Sequence, residues 1–439
     1  MSAEREAPGV HEVLIIGAGP SGTLLAAELR RLGVEALLIE RRTDSAPGSR
    51  AIGVHPPVLA ALEPSGATAR ILEGAARIPR GMARAAGRTI ATVRFDRRHP
   101  RFPFIAAAPQ QVTEAALAAI APEPLRGMRV IGVHAAGDLM RVRAEDAAGD
   151  TTVWAARTVV VAAGARGRQL LSGFLPVRAH AYADRYLMTD LADAPGEPEH
   201  TAVITLGASG VAESFPLPNG GRRLVARVTA AGPHEARERR GRLTSAGADI
   251  GDAEIGDRTG EVDLAGPLAR AAQAADVDRL AAAVLERIGR AELASRVTAA
   301  TGFGIRRVLL SRMVSGPWAQ HGAGSGYVIA IGDAAHEVSP IGGQGMNLGL
   351  LDAVTLAPVL ARLHAHALVD EPHALAHWER NRLASARTAG RLAGLNTALG
   401  RPWPRPVTGT IAAAMRTAMR TPLVRLPERA YAMGFDRDA

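Results

Sequence analysis

Glycines at positions 17, 19 and 22 follow the all-apolar run Val13-Leu14-Ile15-Ile16 and precede a stretch with helical apolar spacing at Leu24, Leu25, Ala27, Leu29 and Leu32. Residues of these types at this spacing bind a pyrophosphate. Gly17 permits a tight turn, Gly19 lets the backbone approach the phosphates, and Gly22 lets the helix pack on the strand. The helix start, with Pro20 and Ser21 in its first turn, contributes partial positive charge. Gly33 breaks the helix, and Ala36 to Ile39 then form a second buried strand ending in Glu40. This completes a βαβ unit in which Glu40 stands where a carboxylate accepts a ribose hydroxyl. Because that carboxylate repels a 2′-phosphate, the bound dinucleotide is expected to be FAD or NAD rather than NADP.

A second stretch chooses between them. Tyr327 to Ile331 reads as another buried strand, and Gly332-Asp333 puts a carboxylate at the carboxyl edge of the sheet, where ligands of such folds bind. Asp333 can hold a polyol hydroxyl there. Beyond it, Pro340-Ile341-Gly342-Gly343-Gln344-Gly345 offers backbone amides without bulky side chains and opens a helix with apolar positions at Met346, Leu350, Leu351, Val354 and Leu360. A flat ring can lie against such a loop, and the helix start would stabilise the negative charge of a reduced flavin. The two stretches together describe the two ends of one bound FAD. His336, inside the second, reads as a hydrogen-bonding residue that fixes the loop.

With these motifs the sequence resembles the aromatic-hydroxylase family (group A, ubiquinone-hydroxylase-like) of FAD-dependent monooxygenases, over most of its length. Gly48-Ser49-Arg50-Ala51-Ile52-Gly53 is similar to the family's arginine loop beside the flavin. Pro109-Gln110-Gln111 with Glu114 resembles a segment that precedes a helix, and Phe215-Pro216-Leu217-Pro218 resembles a strand of the substrate domain. The resemblance implies flavin contacts at Glu40, Arg41, Arg50, Gln111 (or Gln110), Asp333, Gly343 and Asn347, beside the glycine-rich residues Gly17, Gly19, Pro20, Ser21, Gly22, Gly332, Gly342, Gly345 and Met346. Pro340, Gly343 and Arg50 would position the flavin for catalysis, with Phe215 and Pro216 on the opposite, substrate-facing wall. It also implies hydroxylation of a phenolic or polyketide-derived aromatic ring by dioxygen, through a flavin C4a-hydroperoxide, with NADH or NADPH docking transiently as reductant. No catalytic acid or base is assigned; His55, Tyr182, Tyr186 and Arg227 are polar residues in pocket segments.

One position departs from the family pattern. After the strand Thr158 to Ala162, Ala163-Gly164 stands where the family usually has Asp-Gly, a pair associated with flavin and NAD(P)H. FAD binding should survive this change, while the nicotinamide step becomes open to a different reductant. Two other readings are compatible with the fold: an FAD-dependent reductase of an isoprenoid double bond, and a non-catalytic flavin-binding scaffold, which Ala163 favours.

Composition narrows the field. An apolar fraction of 47% with 22% charged residues excludes a disordered chain. The absence of cysteine removes disulfides, cysteine-ligated metal, the thiol pair of disulfide reductases and a cysteinyl-flavin bond, and the FAD is expected to be non-covalent. No metal site is expected. All 52 basic residues are arginine, which removes a lysine-mediated flavin halogenase of the usual type. The arginines are dispersed and aromatics make up 3% of the chain, so the net charge of +9 does not read as a nucleic-acid site. No apolar run reaches the length needed to cross a bilayer, and the polar start of the chain is unlike a signal peptide, so a cytoplasmic location is expected.

These segments assemble into an α/β chain with a Rossmann-like FAD-binding domain over 1–80, 99–178 and 300–365. An antiparallel-sheet substrate domain is inserted over 81–98 and 179–299, and a helical segment follows over 366–439. Within the insert, residues 246–260 read as a glycine- and acid-rich loop. In the last segment, Ile411, Met415, Met419 and Leu423 fall at helical spacing; a helix covering the substrate domain is expected, and the same stripe leaves room for peripheral membrane contact. The sequence does not specify an oligomeric state.

Overall fold

Four apolar runs become the parallel strands Ala36–Ile39, Glu4–Ile16, Thr151–Val161 and Gly326–Ala330, adjacent in that order. Residues 13–16, 38–39, 159–161 and 327–330 of these strands are buried, which is why those stretches are apolar runs rather than alternating. Their register aligns Ile16 with Ile39 and with Val161, and Val161 with Ala330. All four strands therefore end at one edge, and Gly17, Glu40, Ala162 to Gly164 and Gly332-Asp333 emerge there together. Val314–Trp318 adds an antiparallel strand beside Gly326–Ala330, and Leu139–Glu145 pairs with the first half of Thr151–Val161. The computed structural model describes residues 4–44, 51–97, 99–177, 179–228, 267–318, 326–339, 343–365, 371–418, 421 and 425–436. Arg50, Pro340, Gly342 and the 246–260 loop lie outside the described residues.

On one face of this sheet the helices Pro20–Arg31 and Gln344–His364 pack closely. Their approach needs glycine: a Cβ on Gly349 would lie 2.3 Å from Ser21 Oγ, and one on Gly332 2.8 Å from it. Gln344–His364 is long and apolar enough by composition to cross a membrane, against the expectation that no such run exists, and 67% of its apolar window is buried inside the fold. Leu348, Leu350, Leu351 and Leu356 fill the main core, and Asp352 at its middle is fully buried in an ionic cluster.

A second, eight-stranded sheet contains Arg80–Ala85, Arg88–Arg94, Ala179–Leu191, Thr201–Gly207, Gly210–Pro216, Arg222–Val228, Thr301–Leu309 and His336–Glu337. Its pairings are antiparallel except for Thr201–Gly207 beside Arg80–Ala85, where the early hairpin joins the later strands in parallel. Thr301–Leu309, grouped by sequence with the FAD-binding segments, runs here beside Ala179–Leu191. Side chains alternate between the faces. Leu187, Ala212, Leu224 and Ala226 face outward onto the helix Pro267–Ile288 through Leu280 and Val284, while Tyr186, Met188, Val211, Val225 and Phe303 form a separate inner cluster. The C-terminal helices Glu371–Leu399, Arg405–Ala418 and Arg425–Tyr431 run back toward that inner face.

Candidate functional site

The shared strand edge forms a cradle. Gly17, at φ +104°, has no room for a side chain: a Cβ would sit 2.7 Å from Ala163 Cα. A Cβ on Gly22 would lie 1.9 Å from Gly17 O. Gly19 is different, because a Cβ there would meet nothing within 4 Å of the protein. It lines the cavity as the N-cap of Pro20–Arg31, with no side-chain cap. An uncapped helix start beside open space suits phosphate oxygens.

Glu40 is 5% exposed and anchored rather than loose: Ala18 N donates to its Oε2 at 2.8 Å, while Arg42 N and Nε donate to its Oε1 at 3.0 and 3.1 Å. Burial alone would raise its pKa, but the two amide hydrogen bonds and the Arg42 guanidinium outweigh it and hold the carboxyl below its ordinary value. It is therefore an ionised acceptor. Arg42 makes this ion pair, and Arg41 lines the cavity beside it. On the other side, Asp333 is exposed at the cavity wall, and its carbonyl accepts two hydrogen bonds from Arg168.

The cradle and the space under the inner face of the second sheet form one cavity of about 980 Å³. The sheet side is lined by Met188, Ile204, Leu206, Val211, Phe215, Val225 and Phe303, with Glu213 among them. Asn396, Leu399, Met415 and Tyr431 line it from the C-terminal helices. A volume of this size, with a phosphate cradle at one end and apolar walls at the other, accommodates a dinucleotide with a flat ring and leaves room beside the ring.

A family model described as "FAD binding domain" matches residues 11–390. The chain belongs to this family, that of the aromatic-hydroxylase-like FAD-dependent monooxygenases. It is 29% identical to the rifampicin monooxygenase of Streptomyces venezuelae, over 80% of this chain and 64% of that protein. To the 6-methylpretetramide 4-monooxygenase of Streptomyces rimosus it is also 29% identical, over 96% of this chain and 68% of the relative. The chain thus spans about two thirds of the length of these curated relatives. Its fold is similar to the crystal structure of p-nitrophenol 4-monooxygenase from Pseudomonas putida, with a TM-score of 0.72 at 19% identity, covering 99% of this chain and 98% of that one.

Within this FAD-binding member, several residues named from sequence take other places. Gln111 is exposed, and Gln110 lines the cavity instead: the helix Gln110–Ala118 starts there, and one residue further turns the side chain away by about 100°. Asn347 is absent from the wall. Its side chain is fully buried, accepting from His55 N at 2.9 Å and donating to Gly53 O at 2.7 Å and Gly343 O at 2.8 Å, so it ties the loops that form the wall. Pro216 is turned off the cavity by strand alternation, leaving Phe215 as the wall residue. Gly22 likewise serves helix packing. Gly343, at φ +66°, Gly345 and Met346 do line the cavity, as do Gly17, Pro20, Ser21 and Gly332.

The polar candidates separate clearly. His55 is 2% exposed at the wall, and burial lowers its pKa to about 4, leaving it a neutral imidazole at physiological pH. Tyr186 is buried behind the wall, stacked on Phe303 with ring centroids 5.7 Å apart. Arg227 is held by Asp184 at 2.8 Å. The Tyr182 side chain lies outside the described residues. His336 is fully buried, with Nε2 2.6 Å from Asp352 Oδ2. Ala163 is half-buried at the wall, where the family usually has a carboxylate, and a Cβ added at Gly167 would lie 2.6 Å from the Ala163 Cβ. The residue that sequence reasoning missed is Glu213. It falls inside a strand that reads as apolar, and nothing in the local pattern tells which face it takes.

Proposed function

We propose that this protein is an FAD-dependent monooxygenase that hydroxylates a phenolic or polyketide-derived aromatic ring, with NADH or NADPH as transient reductant. The observation that carries the reading is the continuity of the cavity: the phosphate cradle and the apolar space under the second sheet are one volume, so a ring held at Gly343 to Met346 faces a second ligand directly. Gly19, Pro20 and Ser21 would receive the pyrophosphate, Glu40 the ribose, and Asp333 the polyol chain. Arg50, Pro340 and Gly342 are retained from sequence as further flavin contacts. When bound and reduced, FAD supplies activation of dioxygen at its C4a carbon. The chain's own contribution is to exclude water with Val211, Phe215, Val225 and Phe303, and to hold the substrate ring between that wall and the flavin. The two curated relatives are both monooxygenases by name, which supports the same reaction class.

The decisive measurement follows flavin bleaching without oxygen after mixing the FAD-loaded protein with NADH or NADPH, with and without a panel of phenols, and then oxygen uptake. Bleaching accelerated by a phenol, followed by oxygen-dependent product, is the expected result. Product formed without oxygen would indicate the reductase alternative. A flavin that neither nucleotide reduces would overturn the nicotinamide step, and Ala163 would be the residue responsible.

A further inference from the structure

One ionisable side chain on the cavity wall has a carboxyl oxygen without a partner among the described residues. Glu213 lies on Gly210–Pro216 with Val211 and Phe215 on the same face, and its lateral neighbours are Ile204 on one strand and Val225 on the other. These four apolar residues line the cavity with it. Glu213 is 3% exposed, and its Oε1 is buried without a hydrogen bond among the described residues. Leaving a carboxyl in this state is costly, so its retention on an apolar wall points to a ligand that supplies the missing donor.

The surrounding charges do not supply it. On Arg222–Val228, Arg223 is bidentate on Asp190 at 2.6 and 2.7 Å, and Arg227 is held by Asp184. Arg401, beyond the helix Glu371–Leu399, also binds Asp184, at 2.8 Å. From the helix Pro267–Ile288, Arg287 donates to Val211 O and Arg227 O. Arg306 lines the cavity from Thr301–Leu309 and also makes contacts of its own. Tyr431, from the last helix, donates its hydroxyl to Asn396 Oδ1 at 2.6 Å, and Tyr186 Oη is itself buried without a partner among the described residues. Desolvation raises the Glu213 carboxyl to about 7, and no neighbouring charge offsets it.

We infer that Glu213 seats the hydroxyl of a phenolic substrate and takes its proton, presenting the ring as a phenolate inside the apolar cavity. This rests on the hydroxylase reading and names the group that recognises its substrate. In the step, the phenol O–H bond breaks, an H–Oε1 bond forms, and the electron pair stays on the phenol oxygen, enriching the ortho and para carbons; nothing is oxidised or reduced. Transfer is easiest when the two acidities approach one another, so phenols conjugated to an electron-withdrawing group suit the seat better than simple phenols. A substrate carboxylate at the same place would be repelled by the ionised form.

The test is an equilibrium titration of the oxidised, FAD-loaded protein with 4-nitrophenol, whose phenolate absorbs separately from the neutral form, read as difference spectra. One proton shared between the two acids is expected to give wild-type affinity a maximum near neutral pH, falling about tenfold or more two pH units to either side. The bound probe should show the phenolate band at that maximum. Glu213→Gln should lose the band and the acid-side fall while keeping its flavin spectrum, and Glu213→Asp should restore both. The hydroxyl-free probe 4-nitroanisole should bind wild type and Glu213→Gln equally at every pH. Identical 4-nitrophenol profiles for wild type and Glu213→Gln, or no binding of 4-nitrophenol to wild type, would sink the assignment. Because the titration needs no turnover, it separates the two readings. A seated phenolate on a flavin that NADH or NADPH reduces but that then takes up no oxygen counts against the hydroxylase alone, and oxygen uptake with unchanged profiles counts against Glu213 alone.

Discussion

Two glycines three residues apart have different jobs. Gly22 is excluded from carrying a side chain by protein backbone, since its Cβ would lie 1.9 Å from Gly17 O, whereas the space at Gly19 is bounded by no protein atom within 4 Å. Gly22→Ala is therefore expected to lower the stability of the flavin-free protein by about 1–3 kcal/mol through overpacking, and to lose FAD as a consequence. Gly19→Ala should leave the flavin-free protein within about 1 kcal/mol of the parent, because only an N-cap preference changes. It should still weaken FAD at least about tenfold, or ~1.4 kcal/mol. Thermal unfolding with flavin removed, beside a fluorescence titration with FAD, checks both. Equal FAD affinity for Gly19→Ala and wild type would mean that phosphates do not approach there. This division was legible in sequence because the spacing of Gly17, Gly19 and Gly22 after an apolar run has one physical use. Gln110 against Gln111 was not, since the choice depends on where the helix begins to turn, and neither was Asn347, whose partners His55 and Gly53 lie 292 and 294 residues away, while Gly343 caps its own helix.

At the scale of elements, the flavin segment and the C-terminal helices share apolar packing through Leu375, Trp378 and Leu383 and also one buried ionic cluster. Asp352, on Gln344–His364, accepts from Gly332 N at 2.9 Å, from His336 Nε2 at 2.6 Å and from Arg382 Nε at 2.8 Å; Arg382, on Glu371–Leu399, also binds Asp436 at 2.9 Å. Asp352, His336 and Arg382 are wholly buried. Burial would raise the Asp352 carboxyl, but His336 and then Arg382 outweigh it and hold it at about 2. Burial would lower His336, and Asp352 outweighs that and holds it above its ordinary value. The depressed carboxyl contributes stability that is present above its ordinary pKa of 3.8 and is lost as pH falls toward about 2. The raised imidazole contributes stability that is present below 6.5 and is lost as pH rises through its folded value. Arg382→Met leaves two carboxylates without their shared cation and is expected to cost about 3–5 kcal/mol. In wild type, denaturant midpoints should be highest between about pH 4 and pH 6.5, so far as this cluster governs them, and His336→Asn should flatten the alkaline side. An Arg382→Met variant as stable as wild type would show the cluster to be dispensable. The parallel strands and the glycine-started helices could be read from apolar runs and breakers. This cluster could not, because its members are drawn from four segments and only their packing brings them together. The strand Thr301–Leu309 lies in the 300–365 segment read as FAD-binding and pairs with Ala179–Leu191 of the second sheet, a neighbour that nothing local in its residues names.

At the scale of the molecule, the parallel sheet supplies an edge, the second sheet a roof and the C-terminal helices a side wall, and none of the three encloses a site alone. Tyr431 and Asn396, joined at 2.6 Å, line the same cavity as Gly19 and Phe215, so residues near both ends of the chain meet across it. The consequence is thermodynamic. If FAD and a phenol occupy adjoining parts of one enclosed volume, each removes apolar surface of the other from water, and each should bind better when the other is present. Couplings of this kind are typically about 1–3 kcal/mol, or about 5–150-fold, and they are reciprocal. The factor by which 4-nitrophenol tightens FAD must equal the factor by which FAD tightens 4-nitrophenol. Both can be measured on flavin-depleted protein, the first by quenching of flavin fluorescence and the second by calorimetry. A shared factor of about 5 or more is the expected outcome. A factor of one would mean that the two ligands do not touch, and the continuous cavity would then be two sites joined by a passage rather than one site for a reaction between its occupants.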